Sequence, residues 1–247
     1  PLVVPDGYPI LVGEIALMLF VDRLSAFLDS LSPAEITLGL ALISTLMLVV
    51  EERRLSLLPL LVQYILVALM IGPRIYGPIV FVWIGLGAAI CLVLYVTARH
   101  VQQGLRVLPP PSREESAIWH TQPAPALRAI TLASMGPVLR LVAVAAGGFV
   151  AYGLWRAYPM PGVPPELTLT GYWLMAIGLL TTLTSVDPLR MGLGLLSLVN
   201  GFEIIYLFLE QSLLVLTLCG LVGIVMALGI AASAESWLES LQEEAPA

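Results

Sequence analysis

The sequence predicts an all-α integral membrane protein, a polytopic transmembrane helical bundle of about seven spans. It is organised as two parallel three-helix repeats plus a connecting helix. Two observations carry the class. Hydrophobic residues make up 59% of the 247 residues and charged ones only 11%, where a water-facing surface needs roughly a quarter charged. The apolar residues also fall in long unbroken runs; about 20 of them cross a bilayer core as a helix, and nothing alternates as a barrel strand would.

The expected spans are 34–50, 55–72, 76–98, 130–155, 167–185, 189–209 and 213–233. Start signals support two of them. Ser32-Pro33-Ala34-Glu35 reads as a capping box with Pro at the first helical position. Asp187-Pro188 repeats that logic, a carboxylate cap followed by Pro. The segment before the first span, 9–31, carries Glu14, Asp22, Arg23 and Asp29. That is the pattern of an amphipathic helix lying at the interface, so residues 1–33 are expected to form an interfacial segment. Residues 34–98 then form the first three-helix repeat, 99–129 a polar Pro-rich cytoplasmic loop and 130–155 the connecting span. The second repeat takes 167–233, and 234–247 is an acidic tail.

Arginine distribution sets the orientation. Arg53, Arg54, Arg99, Arg106, Arg113, Arg128 and Arg190 fall on one side, Arg23, Arg74 and Arg156 on the other, with Arg140 inside the fourth span. The N-terminus is therefore expected outside and the C-terminus in the cytoplasm. The chain opens on Pro1 and has no basic stretch ahead of an apolar one, so no signal peptide is read, and the sequence is expected to begin within a longer chain.

The repeat rests on the second helix of each unit. Arg54-Leu55-Ser56 leads to Gln63, and Leu189-Arg190 leads to Asn200, each an Arg at the helix end with an amide nine or ten residues on. Four helices separate the copies, so they share one orientation, unlike the inverted repeats of many transporters.

Few polar residues lie inside the spans. Glu203 is one turn beyond Asn200, and an acidic side chain that far into a span is by default a functional hypothesis. Three readings stand: a neutral carboxyl bonded to a neighbouring helix, a proton or cation relay, and a salt bridge to Arg140. Small residues, namely Gly194, Ser197 and Gly201 on the sixth span, Gly220 and Gly223 on the seventh, and Gly85 and Ala88 on the third, form stripes suited to close helix contact or subunit docking.

The same composition argues against several activities. Histidine occurs only at His100 and His120, both in the expected loop, so no span offers a pair of haem ligands. Cys91 and Cys219 lie in apolar runs without metal-ligand spacing, and no basic patch suits nucleic acid. No metal site, cofactor or catalytic residue is expected.

Asp187-Pro188-Leu189-Arg190-Met191-Gly192-Leu193-Gly194 with Asn200-Gly201 resembles the middle helix of the K subunit of respiratory complex I. The likeness is closer to its duplicated relative, hydrogenase-4 component E. Arg54-Leu55-Ser56 with Gln63 and Arg99-His100-Val101 are similar to that family's first half, while Asp22-Arg23-Leu24-Ser25-Ala26-Phe27 resembles a run in antiporter-like subunits of the same complexes. The likeness spans roughly 35–235 through few identities. It implies a non-catalytic subunit in a prokaryotic cytoplasmic membrane, packed against antiporter-like subunits. The family's membrane carboxylates are missing: Leu196 and Val199 stand where Glu is expected, Cys219 and Gly220 where an acid could sit, and the third span lacks a Lys. The resemblance thus implies a scaffold without the family's own proton path. The alternatives are a stand-alone ion or small-molecule transporter using Glu203, or an assembly subunit of another bioenergetic complex.

Overall fold

A computed structural model describes residues 32–49, 56–72, 77–107, 137–185, 187–210 and 212–243. The interfacial segment expected at 9–31, Arg54, and the stretch 108–136 lie outside the described residues. The described residues form seven helices and no strands: α1 (Pro33–Val49), α2 (Leu57–Ile71), α3 (Gly77–Val107), α4 (Pro137–Ala157), α5 (Pro165–Thr184), α6 (Pro188–Leu209) and α7 (Leu213–Glu243).

Five of them, α3 to α7, are long and apolar enough to cross a membrane. At 17 and 15 residues, α1 and α2 are shorter, rising about 25 and 22 Å against a hydrocarbon core of roughly 30 Å.

Both start signals form. The Ser32 hydroxyl accepts from the Glu35 amide at 3.3 Å, while the Glu35 carboxylate accepts from the Ser32 amide at 2.7 Å. Asp187 Oδ1 accepts from the Leu189 amide at 3.2 Å, with Pro188 opening α6.

Two helices outrun their expected ends. α3 continues to Val107, into what was expected to be loop, and α7 continues to Glu243, through most of the expected acidic tail. At 31 residues each would be roughly 46 Å long. The reason is mutual cover: Ala98 and Val101 on α3 and Ala234 and Leu238 on α7 are all buried, and Gly104 sits against the Leu238 side chain. Pairing of apolar stripes sustains both helices past the fully apolar stretch.

The helices stack as two three-helix layers, α1–α2–α3 and α5–α6–α7. Across the layers α1 faces α5, α2 faces α6 and α3 faces α7, while α4 lies outside against α5 and the edge of α1. Cross-layer partners keep a nearly constant spacing in sequence. Thr37 pairs with Thr170 and Gln63 with Ser197; Leu86 lies on Gly220, Ile90 on Gly223 and Leu238 on Gly104. The separation is 133 residues for the first pair and 134 for the second, and the other three keep that spacing. Trp173 reaches outside this register, donating from Nε1 to Ser44 at 2.9 Å.

The tightest seam is α5–α6. A Cβ on Gly178 would stand 2.6 Å from the Gly194 carbonyl oxygen, and one on Gly201 would stand 2.7 Å from that of Gly171. Glycines seven residues apart on each helix therefore meet in two reciprocal pairs, and backbone packs on backbone. Without a hydrophobic force between helices in lipid, such close contact supplies the dispersion that holds a bundle together. Outward faces carry large apolar side chains: Phe149 is 80% exposed, Val138 and Leu214 74% and Leu92 65%. That is the surface of a protein surrounded by hydrocarbon rather than water.

Candidate functional site

The polar residues of the interior meet where α2 crosses α6. Gln63 Nε2 donates to Ser197 Oγ at 3.1 Å, and that hydroxyl lies 3.3 Å from Gln63 Oε1, with both side chains wholly buried. Two of the sequence's candidates, Gln63 and Ser197, are thus brought together. Ser197, expected among the packing residues, is a hydrogen-bonding one. The matched amides Gln63 and Asn200 do not face each other. Cross-layer register places Gln63 one turn short, opposite Ser197.

Asn200 follows one turn along α6. It is wholly buried, and neither its Nδ2 nor its Oδ1 has a hydrogen-bond partner among the described residues. A buried amide without partners costs on the order of 1–3 kcal/mol in protein contexts, so this position is a marked departure from an economical core. One more turn on, Glu203 is 4% exposed. Its carboxyl lies within electrostatic reach of Tyr64 on α2 and Cys219 on α7. Tyr64 in turn stands 6.5 Å, centroid to centroid, from the Trp83 ring, whose buried Nε1 also lacks a partner among the described residues. Ser197, Asn200 and Glu203 therefore run along α6 at three-residue spacing, with Gln63 facing Ser197, while the Tyr64 ring packs on Gly87 and Trp83 of α3. Tyr64 and Trp83 were not singled out from the sequence. The available signal was the adjacency of Gln63 and Tyr64 inside an otherwise apolar helix.

Arg140 lies elsewhere, which speaks against the salt bridge, one of the three readings given for Glu203. It lies in the first turn of α4, 5% exposed, and Nη1 donates to the Val49 carbonyl at 3.2 Å. Arg190 Nη2 donates to the Leu48 carbonyl at 3.1 Å. Two guanidinium groups thus converge on the carboxyl end of α1, where the last carbonyls have no partners within the helix and the macrodipole is negative. Asp187 caps the adjoining start of α6. Along α6, Glu203 is about 20 Å from Arg190. The helix-end motif and the buried polar row are two separate features.

The packing glycines divide the same way. Gly194 and Gly201 meet α5, and Gly220 and Gly223 receive Leu86 and Ile90 of α3. All four are used inside the chain, so they are not available for docking another subunit. Gly85 and Ala88 face outward, and a Cβ on Gly85 would meet nothing within 4 Å. Cys91 and Cys219 are unpaired thiols. Among the described residues no three His, Cys, Asp or Glu side chains gather to hold a metal ion. Compared with protein-family models, with curated proteins and with solved structures, the chain finds no match.

Proposed function

We propose that the chain is a non-catalytic, seven-span subunit of a multi-subunit ion-translocating complex of the complex I and hydrogenase-4 type. In this reading it sits in a prokaryotic cytoplasmic membrane and packs against antiporter-like subunits, while redox chemistry occurs elsewhere in the assembly. The observation that carries the reading is the cross-layer register. Contacts separated by 133 or 134 residues recur on all three helix pairs, as expected of a duplicated three-helix unit whose copies lie abreast. This supports the resemblance to duplicated component E proteins without depending on individual identities. The short helices α1 and α2 count as spans here because they share their layer with α3 and stand at the depth of α5 and α6. Arg140 and Arg190 meeting at the end of α1 adds a further cation to the arginine-rich side, in keeping with that side being cytoplasmic.

Affinity purification in mild detergent from the native membrane tests the proposal. The expected result is a stoichiometric complex containing antiporter-like and redox subunits. A chain that purifies alone and conducts ions in liposomes would overturn it.

One observation favours a second reading, in which the subunit moves ions itself. The unpartnered Asn200 amide beside the buried Glu203 carboxyl is what a relay needs and a scaffold does not. Under that reading Glu203→Gln abolishes coupled ion transport by the assembly. Under the scaffold reading, transport by the variant complex stays within about twofold of wild type, a difference of about 0.4 kcal/mol or less.

A further inference from the structure

Asn200 is the chain's one asparagine, and it is wholly buried with neither polar atom partnered among the described residues. Its neighbours along α6 show where a partner belongs. Ser197, one turn before it, is already taken by Gln63. Toward α5 the seam is shut, since a Cβ on the adjoining Gly201 would stand 2.7 Å from the Gly171 carbonyl oxygen. Glu203, one turn after it, is 4% exposed and bonds no other described residue. The Tyr64 ring, within electrostatic reach of Glu203, stands 6.5 Å from that of Trp83, whose buried Nε1 is a further donor without a partner there.

We infer that Asn200 and Glu203 together hold an internal water, a hydration site in the middle of the bundle. The chemistry of the open groups selects this ligand. A cation would take Asn200 Oδ1 and the carboxyl but leave the Nδ2 protons pointing at no acceptor. An anion would take those protons but meet the carboxyl. Only a neutral molecule that both donates and accepts serves the pair, and full enclosure of Asn200 limits it to a very small one. A single water can accept from Nδ2, donate to Oδ1 and give its other proton to Glu203. That makes about three hydrogen bonds, the usual number for a buried water. Spacing agrees. Side chains three apart on a helix stand about 5–6 Å apart at Cβ, and two bonds of about 2.8 Å end to end span that gap. Main-chain groups of α6 cannot substitute, because the helix has already paired them.

Water-edited solid-state NMR of the full chain in phospholipid bilayers tests this. With asparagine as the one nitrogen-labelled residue, all signal comes from position 200. Polarisation from water protons should reach Nδ2 about threefold faster than the main-chain nitrogen of the same residue, since only Nδ2 is one hydrogen bond from the water. Glu203→Gln, which still accepts a bond, should keep that fast transfer. Glu203→Leu should slow it to the main-chain rate. Equal rates at the two nitrogens of wild type, or an unchanged rate in Glu203→Leu, would overturn the inference. The site rests on the geometry of the row and not on transport through it, and the two can fail separately. Fast transfer to Nδ2 in a complex whose Glu203→Gln variant transports normally would sink the relay alone. Loss of transport in that variant, with equal rates at the two nitrogens of wild type, would sink the water site alone.

Discussion

Against α5, helix α6 presents Gly194 and Gly201 and meets bare backbone. Against α2 and α7 it presents Ser197, Asn200 and Glu203; Ser197 meets Gln63, and Glu203 lies within electrostatic reach of Tyr64 and Cys219. The first flank is stabilised chiefly by fit, backbone against backbone, with a hydrogen bond across it from the Thr182 hydroxyl to the Met191 carbonyl at 3.3 Å. On the second flank polar groups are sequestered, and Asn200 lacks a protein partner among the described residues. One helix thus separates the contact that holds the bundle from the row able to do chemistry. A change on one flank should affect stability and a change on the other should affect function.

The largest effect expected on the packing flank comes from Gly178→Leu. Its Cβ would stand 2.5 Å from the Leu198 amide nitrogen, and neither backbone can yield. Unfolding in detergent should show a loss of about 3 kcal/mol, at the upper end for overpacked cores. Gly85→Leu, with nothing within 4 Å of its Cβ, should stay within about 0.5 kcal/mol of wild type. Equal losses in the two would erase the distinction between inner and outer glycines.

That distinction was only half legible in the sequence. Apolar run lengths and the Ser32 and Asp187 caps placed the starts of α1, α2, α3, α5, α6 and α7 to within a few residues, because burial and capping are local demands. Which small residues face inward was not legible. Gly194, Ser197 and Gly201 form one stripe on a helical wheel, yet the structure sends the glycines to α5 and the serine to α2. Partner choice is a tertiary property, and periodicity in a helix apolar on nearly every side carries no information about it. The same limit displaced the amides by a turn, since matching Gln63 to Asn200 treated equal distance from an Arg as equal depth. Arg140 was placed in the fourth span, where it lies, but its partner was not legible. Nothing local in the sequence says that its side chain reaches the carbonyl end of α1. The long ends of α3 and α7 were missed because charged outer faces mask an apolar inner stripe.

Intermediate effects are expected at the helix end that both arginines serve. Arg140→Gln and Arg190→Gln should each lower stability by about 1–2 kcal/mol, through lost charge-assisted bonds to the Val49 and Leu48 carbonyls. Neither should change ion transport by the intact complex, since both lie far from Glu203. A transport defect in Arg140→Gln without a stability loss would join the two features separated above.

On the polar flank the sign reverses. Asn200→Leu keeps the number and branching of the side-chain heavy atoms, with methyls somewhat larger than the groups they replace, and removes two polar groups that have no protein partner among the described residues, so thermal unfolding should show no loss and a gain of up to about 1 kcal/mol. A clear loss would mean that Asn200 is satisfied within the folded bundle and that this flank, too, is structural. The smallest expected term is the Gln63–Ser197 bond. A double-mutant cycle with Gln63→Leu and Ser197→Ala should return a coupling near 0.6 kcal/mol, the usual scale for such bonds between membrane helices.

All of this presupposes two three-helix layers held abreast in parallel register, and cross-linking reads that arrangement directly. In a chain with Cys91 and Cys219 replaced by Ala, cysteine pairs are introduced at 104 and 238, and separately at 104 and 231, and treated in membranes with a short thiol-reactive cross-linker. The account predicts rapid intramolecular linkage of the 104–238 pair, where Gly104 lies against Leu238, and little for the pair two turns away. Preferential linkage of 104 with 231, or linkage only between separate chains, would contradict it.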